Sequence, residues 1–155
     1  DIDTIRRNFH FYEPRTLHES SLSPFVHAIL AARIGDIDKA YDLFLHTTRL
    51  DLDDYNNDLS EGLHITSMAG SWLALVKGFA GMNFDNDLLD FEPIIPEKWE
   101  RYSFNIHFRK RIFWVEVTKK KVKLKLLAGD EINVCINGTK YHILEELIVD
   151  MNGLN

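Results

Sequence analysis

The stretch RYSFNIHFRKRIFWVEVT, residues 101–118, alternates apolar and polar side chains with a period of two. Its apolar members are Phe104, Ile106 and Phe108 in the first half, and Phe113, Val115 and Val117 in the second. Successive side chains of a strand point to opposite faces of the sheet, so this pattern predicts two half-buried antiparallel strands.

The same alternation continues towards the C-terminus. Further apolar positions follow at Leu124, Leu126, Val134 and Ile136. Asn137-Gly138 predicts a tight hairpin turn before a strand over 139–143. Antiparallel strands with one apolar face close naturally into a β-sandwich. Cys135 lies within an apolar strand, which predicts a core position rather than a nucleophile.

The first half of the chain has the spacing of helices instead. Ser23-Pro24 predicts a helix start with Ser23 as a cap, and Gly35 predicts its end. A second helix is predicted over residues 37–48 and a third over 65–78, with apolar residues three and four apart. The fold class is therefore α+β, with one domain over residues 1–81 and a second over 82–155.

Three helices bury little apolar surface by themselves. Ala69, Gly70 and Ser71 are small residues in the third helix, which predicts the close approach of another helix or a ligand. We expect the helices to be the last part of a larger helical domain and to expose an apolar surface here. The chain begins at Asp1 rather than Met, which agrees with a piece of a longer protein.

Composition excludes several classes of protein. The 155 residues are 45% hydrophobic and 27% charged, which is globular rather than disordered. The net charge of −6 argues against general nucleic-acid binding. Its apolar runs fall short of the roughly 20 residues that cross a bilayer, so we expect no membrane partner. Because the chain has one cysteine, it cannot form an internal disulfide.

A first group of polar residues precedes the predicted helix start at residue 23. Ser20 and Ser21, with Arg15 nearby, could hold a phosphate or a carboxylate at a helix N-terminus. The alternative is structural: the serines cap the helix, and Arg15 pairs with Glu13 or Glu19.

A second polar group precedes the third helix. His64, Thr66 and Ser67 place hydrogen-bond donors around a helix start, and a histidine can bind an anion near neutral pH. The alternative is a capping cluster with a buried, satisfied histidine. The acidic residues over 51–58 lack the spacing of an EF-hand, which favours a solvated turn over a calcium site.

Three segments together resemble the inverting disaccharide phosphorylases of glycoside hydrolase family 65. They are EPRTLHESSLS (13–23), LDLDDYNN (50–57) and EGLHITSMAGSW (61–72). The resemblance implies an (α/α)6 barrel followed by a small C-terminal antiparallel β-sandwich domain, of which this chain would hold the last barrel helices and the sandwich.

The resemblance also implies a reaction. Inorganic phosphate, a co-substrate rather than a cofactor, would cleave an α-linked, maltose-like glucose disaccharide to β-glucose 1-phosphate and glucose with inversion. The residues that match the phosphate-site motifs are Ser20, Ser21, His64, Thr66 and Ser67. The general-acid Glu is expected upstream of residue 1, so this chain holds no catalytic residue and should be inactive alone. The resemblance implies no metal. It does imply a cytoplasmic location and a homodimer of the longer protein.

Two other functions remain possible from the sequence. The sheet half could be a carbohydrate-binding or interaction module with a platform of Trp99, Tyr102 and Trp114, although we expect Trp114 to pack in the core or at an edge. An inverting α-glucoside hydrolase is the second alternative, and it would need a carboxylate base where His64 stands.

Overall fold

A computed structural model describes residues 1–55, 57, 60, 62–85 and 88–151 of the chain. The backbone forms two compact units, Asp1–Phe79 and Ala80–Asn155. The first unit contains the helices and the second contains the strands, so the α+β class predicted from the sequence is confirmed.

The described residues of the helical unit include five α-helices, a 3-10 turn and a π-helical turn. The α-helices are α1 (Ile2–Tyr12), α2 (Ser23–Ile34), α3 (Ile37–Thr48), α4 (Leu50–Asp53) and α5 (Ile65–Leu73). A 3-10 turn, Glu13–Arg15, follows α1, and a π-helical turn, Ala74–Phe79, follows α5.

The ends of α1 and α2 show which local predictions were right. Asp1 caps α1 by accepting hydrogen bonds from the backbone N–H groups of Asp3 and Thr4 at 2.8 and 3.1 Å. Gly35 ends α2 in the left-handed region, as predicted, with φ at 84°. Ser23 begins α2 but does not cap it, so the predicted cap was wrong. Its hydroxyl bonds the His18 ring instead.

The predicted third helix is not one regular helix. α5 ends at Leu73, and the π-helical turn continues the chain to Phe79. A π turn holds more residues than an α turn, so it changes which side chains face inward. Val76 and Phe79 are fully buried as a result, and the Phe79 ring meets Phe44 of α3 edge to face at 5.4 Å.

The small residues of α5 allow close packing, as the sequence predicted. A Cβ atom added to Gly70 would lie 2.3 Å from Cδ1 of Phe25 in α2, closer than real carbon atoms approach. The Phe25 ring therefore occupies the space that any larger residue at position 70 would need. This contact fixes the distance between α2 and α5.

The opposite side of α5 is apolar and exposed. Ile65 is 67% exposed, Met68 48% and Trp72 47%, at the spacing of one helix face. The expectation of an exposed apolar surface on the helices is thus confirmed.

The second unit is a β-sandwich of two four-stranded sheets. One sheet has the order β1-β2-β6-β7 and the other β3-β4-β5-β8. The strands are β1 (Asn83–Asp85), β2 (Leu88–Phe91), β3 (Arg101–Phe108), β4 (Arg111–Thr118), β5 (Lys121–Ala128), β6 (Ile132–Ile136), β7 (Thr139–Ile143) and β8 (Glu146–Asp150). β2 and β6 pair in parallel, and the other pairs are antiparallel.

The alternating residues of β3 and β4 form the core of the sandwich. Phe104 lies opposite Val115, and Ile106 lies opposite Phe113, all with their side chains buried. Cys135 is also buried, which confirms its predicted core position. The predicted hairpin is present between β6 and β7, with Asn137-Gly138 in the left-handed region.

Trp114 does not lie where the sequence led us to expect. Phe113 and Val115 point into the core, so the period of two places Trp114 on the opposite face of β4, where it is half-buried. β4 lies inside its sheet, so this is not an edge position either. The expected core or edge packing was therefore wrong.

None of the helices in the described part of the chain is long and apolar enough to cross a membrane.

The Gly70 contact predicts a specific response to substitution. Gly70→Ala should lower the free energy of unfolding of the helical unit by about 1–2 kcal/mol, because overpacking against Phe25 outweighs the better helix propensity of alanine. Urea unfolding followed by circular dichroism at 222 nm would measure the change.

Gly78→Ala is the matched control for this substitution. A Cβ at position 78 would approach the Ile29 backbone to an ordinary 3.4 Å, so we expect no loss of stability. Equal effects at positions 70 and 78 would contradict the packing explanation.

Candidate functional site

The carboxylate of Glu13 is buried and is the centre of an ionic network. Its side chain is 8% exposed. The Lys39 ammonium on α3 lies 2.7 Å from Oε1, and Nδ1 of His27 on α2 bonds Oε2. Nε2 of His18 lies 3.2 Å from both oxygens. We call these four residues the Glu13 network.

Two opposing effects act on the pKa of Glu13. Burial raises the pKa, but the hydrogen bonds from Lys39, His27 and His18 together outweigh burial and hold it below its ordinary value of 4.5. Glu13 is therefore ionised at neutral pH, and its carboxylate accepts hydrogen bonds from α2, α3 and the loop before α2.

His18 connects this network to the start of α2. Its backbone adopts the left-handed conformation with φ at 56°, which is uncommon for a residue other than glycine. Its Nδ1 lies 2.9 Å from the Ser23 hydroxyl, while Nε2 faces Glu13. Both ring nitrogens are thus engaged by groups on either side of the loop that carries Ser20 and Ser21.

A further histidine lies beside the network without joining it. The His46 ring lies 6.4 Å from the His18 ring and 4.6 Å from the ring of Tyr55. Burial, together with the charge of His18, lowers the pKa of His46. Among the described residues, its buried Nε2 has no hydrogen-bond partner, so this side chain is an apolar packing element more than an ionic one.

The two polar groups predicted from the sequence meet in the structure. The Ser21 hydroxyl before α2 lies 2.8 Å from the Thr66 hydroxyl in the first turn of α5. The two residues are 45 positions apart in the chain. This contact brings the two candidate anion-binding segments to one surface of the helical unit.

His64 is the residue immediately before α5 and is held by Asp51. Its Nδ1 lies 2.5 Å from Oδ1 of Asp51, and its backbone N–H donates to Oδ2 at 3.1 Å. The hydrogen bond from the imidazole lowers the pKa of Asp51. The imidazole is therefore fixed in orientation by an ionised carboxylate.

The two remaining predicted residues have different environments. Ser67 is 2% exposed, and its hydroxyl donates to the backbone carbonyl of Thr47 at 2.6 Å. That bond ties α5 to α3. Ser20 is exposed, and its hydroxyl accepts a hydrogen bond from the Leu22 N–H at 3.3 Å.

The acidic segment near residue 51 forms ion pairs. The Arg49 guanidinium binds both carboxylate oxygens of Asp53 at 2.6 Å, and the Tyr55 hydroxyl donates to the same group at 2.8 Å. Asp51 and Asp53 thus have separate partners. Asn56 and Asp58, which belong to the same predicted turn, lie outside the described residues.

One group in the described ranges offers atoms for a metal ion. The ligand atoms of Glu13, His18 and His27 lie within 4.8 Å of one another. The Lys39 ammonium already binds one oxygen of that carboxylate and places a positive charge beside it. The arrangement therefore fits a charge network better than a cation site.

Sequence reasoning missed the partners in these networks. It considered a pair between Arg15 and an acid, but the Arg15 guanidinium donates to the Phe11 carbonyl and lies 4.2 Å from the Phe11 ring centroid. Glu13 binds Lys39 instead, 26 positions along the chain. The spacing of 26 positions between Glu13 and Lys39 does not repeat with a helical period, so no local pattern could have revealed that pair.

The proposed aromatic platform on the sheet unit is not formed as one surface. Tyr102 is buried, stacks on Phe104 and donates its hydroxyl to the Ile94 carbonyl at 2.9 Å. Trp99 packs against Tyr102, whereas the Lys123 ammonium lies 6.0 Å from the Trp114 ring.

Comparison with known protein families assigns both units. Residues 1–73 match the glycosyl hydrolase family 65 central catalytic domain, and residues 82–143 match the family 65 C-terminal domain. The helices and the sandwich thus match the central and the C-terminal domains of one family. The chain belongs to glycosyl hydrolase family 65.

Individual relatives are disaccharide phosphorylases. The chain is 57% identical to the maltose phosphorylase of Bacillus subtilis over 86% of its own length and 18% of the relative. It is 46% identical to the α,α-trehalose phosphorylase of Thermoanaerobacter brockii, with 85% and 17% covered. It is 37% identical to the kojibiose phosphorylase of Halothermothrix orenii, with 85% and 18% covered.

A solved structure gives the same result. A kojibiose phosphorylase candidate from the human microbiome aligns with a TM-score of 0.90 and 39% identity, over 97% of this chain and 20% of that one. The chain therefore spans about a fifth of the length of the relatives it matches.

The Glu13 network predicts a pH-dependent contribution to stability. At pH 7, Glu13→Gln should lower the free energy of unfolding by about 2 kcal/mol, since it removes the counter-charge of the Lys39 ammonium and the charged acceptor of the His18 and His27 rings. The loss should shrink as the pH falls below 4.5, because a carboxyl with a depressed folded pKa loses its contribution when it is protonated. Urea unfolding at several pH values would measure both effects.

Glu19→Gln provides the control for this substitution. It removes an exposed carboxylate from the same segment and should change stability by less than about 0.5 kcal/mol. A Glu13→Gln effect that is independent of pH would show that packing, not charge, is responsible.

Proposed function

We propose that this chain supplies the phosphate-binding side of an inverting disaccharide phosphorylase. The observation that carries the proposal is the 2.8 Å contact between the hydroxyls of Ser21 and Thr66, next to His64. Hydroxyl and imidazole donors at one helix start are suited to phosphate oxygens. Ser20 would add a further hydroxyl from the same loop.

The charges in these segments support an anion site. A phosphate would be repelled by an unpaired carboxylate, but Asp51 is paired with His64 and Glu13 with Lys39. These pairings reduce the repulsion that the two carboxylates would exert on a phosphate at this surface. Ser67 would contribute by tying α5 to α3 rather than by touching phosphate.

Phosphorolysis, unlike hydrolysis, needs no catalytic base to activate its nucleophile. An inverting hydrolase uses a second carboxylate to activate water. Phosphate at neutral pH already carries nucleophilic oxygens, so a phosphorylase needs a site that binds and orients it. A histidine held by a carboxylate, in the position where a hydrolase would need its base, favours phosphorolysis over hydrolysis.

The substrate class is an α-linked glucose disaccharide, and the products are β-glucose 1-phosphate and glucose. We propose a maltose-like disaccharide, because identity to the maltose phosphorylase exceeds identity to the trehalose and kojibiose phosphorylases reported above. The general acid and the residues that hold the sugar would lie in the rest of the longer protein.

Asp51→Asn tests the role of His64. Titration of the ¹⁵N-labelled chain with inorganic phosphate should shift the amide signals of Ser21, His64 and Thr66. Asp51→Asn should weaken binding about tenfold, because the amide cannot hold the imidazole with a charge-assisted hydrogen bond.

The control for Asp51→Asn is Asp53→Asn, two residues further along α4. It removes an equal charge whose partners are Arg49 and Tyr55, so phosphate affinity should stay within twofold of the wild type. Similar losses in both variants, or no phosphate-dependent shifts in the wild type, would count against the proposed site.

The purified 155-residue chain should have no phosphorylase activity. Incubation with phosphate and maltose, trehalose or kojibiose should release no glucose 1-phosphate, since protonation of the leaving oxygen needs an acid that the resemblance assigns to another part of the protein. A coupled enzyme assay for glucose 1-phosphate would measure this. Detectable release from any of the three disaccharides would refute the claim that the general acid lies in another part of the protein.

A further inference from the structure

The loop that carries Ser20 and Ser21 is fixed at both ends by one imidazole ring. At its start, His18 bonds Glu13 through Nε2; at its end, Nδ1 bonds the Ser23 hydroxyl. The Ser23 N–H also donates to the Ser20 carbonyl at 3.0 Å, which closes a turn. The span of the loop is therefore set by the position of the His18 ring.

The position of that ring is set in turn by the buried carboxylate. Glu13 is held by Lys39 of α3 and His27 of α2, so it cannot move without breaking contacts to two helices. The His18 and His27 rings also meet edge to face, with centroids 4.7 Å apart. Two packed helices thus define where the His18 ring lies.

The backbone at His18 shows that this arrangement is imposed on the chain. A φ of 56° is unfavourable for most residues and persists where surrounding contacts compensate for it. Here the compensating contacts are those of the ring with Glu13 and Ser23. Three residues beyond His18, the Ser21 hydroxyl reaches Thr66 of α5.

We propose that Glu13 and His18 are positioning residues for the phosphate site. Glu13 holds the His18 ring, and the ring holds the loop so that the Ser20 and Ser21 hydroxyls are presented together with Thr66. Neither residue touches phosphate in this arrangement. The inference rests on the proposed function, because it assigns these residues to the same phosphate site.

His18→Asn tests the proposal with the backbone kept. Asparagine tolerates the left-handed conformation but is too short to bridge Glu13 and Ser23. In the ¹⁵N-labelled chain we expect the amide signals of residues 19–22 to shift and their hydrogen exchange to accelerate without phosphate. We expect the dissociation constant for inorganic phosphate to rise about tenfold.

Ser23→Ala and Ser23→Thr separate positioning from folding. Ser23→Ala removes one hydroxyl at the far end of the bridge and should change loop exchange and phosphate affinity in the same direction as His18→Asn. Ser23→Thr keeps the hydroxyl and should restore wild-type affinity. The exposed His10→Asn is the control histidine variant and should change neither quantity.

The readouts distinguish this inference from the proposed function. Phosphate affinity is measured under conditions in which urea unfolding shows that each variant is folded. If Glu13 and His18 only stabilise the fold, the variants should change the unfolding midpoint but not the affinity. If the wild type binds phosphate and His18→Asn binds equally well, the positioning role is refuted while the phosphate site stands.

If the wild type does not bind phosphate, the proposed function fails. The loop measurement then decides the rest: unchanged exchange at residues 19–22 in His18→Asn and Ser23→Ala overturns the inference, and faster exchange supports the bridge from Glu13 to the loop.

Discussion

The helical unit depends on a carboxylate that has been removed from water. Burying the ionised Glu13 side chain is costly unless donors replace the lost hydration. Lys39, His27 and His18 supply these donors from α3, α2 and the loop before α2. Since each bond has a direction and a length, the network restricts where these three segments lie relative to the 3-10 turn.

In the proposed site, buried and exposed groups have different roles. The buried groups fix geometry: Glu13 fixes His18, and Ser67 fixes α5 on α3 through Thr47. The accessible groups, Ser20, Ser21 and Thr66, present hydroxyls. The chain carries a net charge of −6, yet Asp51 and Asp53 each have a cationic or donor partner. Local pairing makes a phosphate site compatible with an acidic protein.

The local features of the fold were predictable because they depend on neighbouring residues. Alternation in β3 and β4, the hairpin at Asn137-Gly138 and the end of α2 at Gly35 follow from side-chain direction and backbone sterics. Predictions that needed a distant partner were less successful. A pair between Glu13 and Arg15 is one example, because Glu13 binds Lys39, 26 positions away. The predicted Ser23 cap failed for a local reason: the left-handed backbone of His18, five positions earlier, brings the His18 ring to the Ser23 hydroxyl.

The π-helical turn after α5 and the position of Trp114 were missed for different reasons. Small residues predicted a close neighbour of α5, but they do not indicate that the helix widens at Ala74, where the π-helical turn packs against α2. The period of two in β4 was visible in the sequence. The apolar character of Trp114 nevertheless suggested the core, although the strand period places it on the other face.

The sequence by itself determined the two kinds of structure, their order in the chain, and the polar segments that resemble a phosphate site. Periodicity and short motifs carry this information, because both act over a few residues. Only the tertiary structure decided that Ser21 meets Thr66, that Asp51 holds His64, and that Glu13 binds Lys39. These pairs join residues 13 to 45 positions apart, and their energies depend on burial and direction, which exist only once the helices have packed.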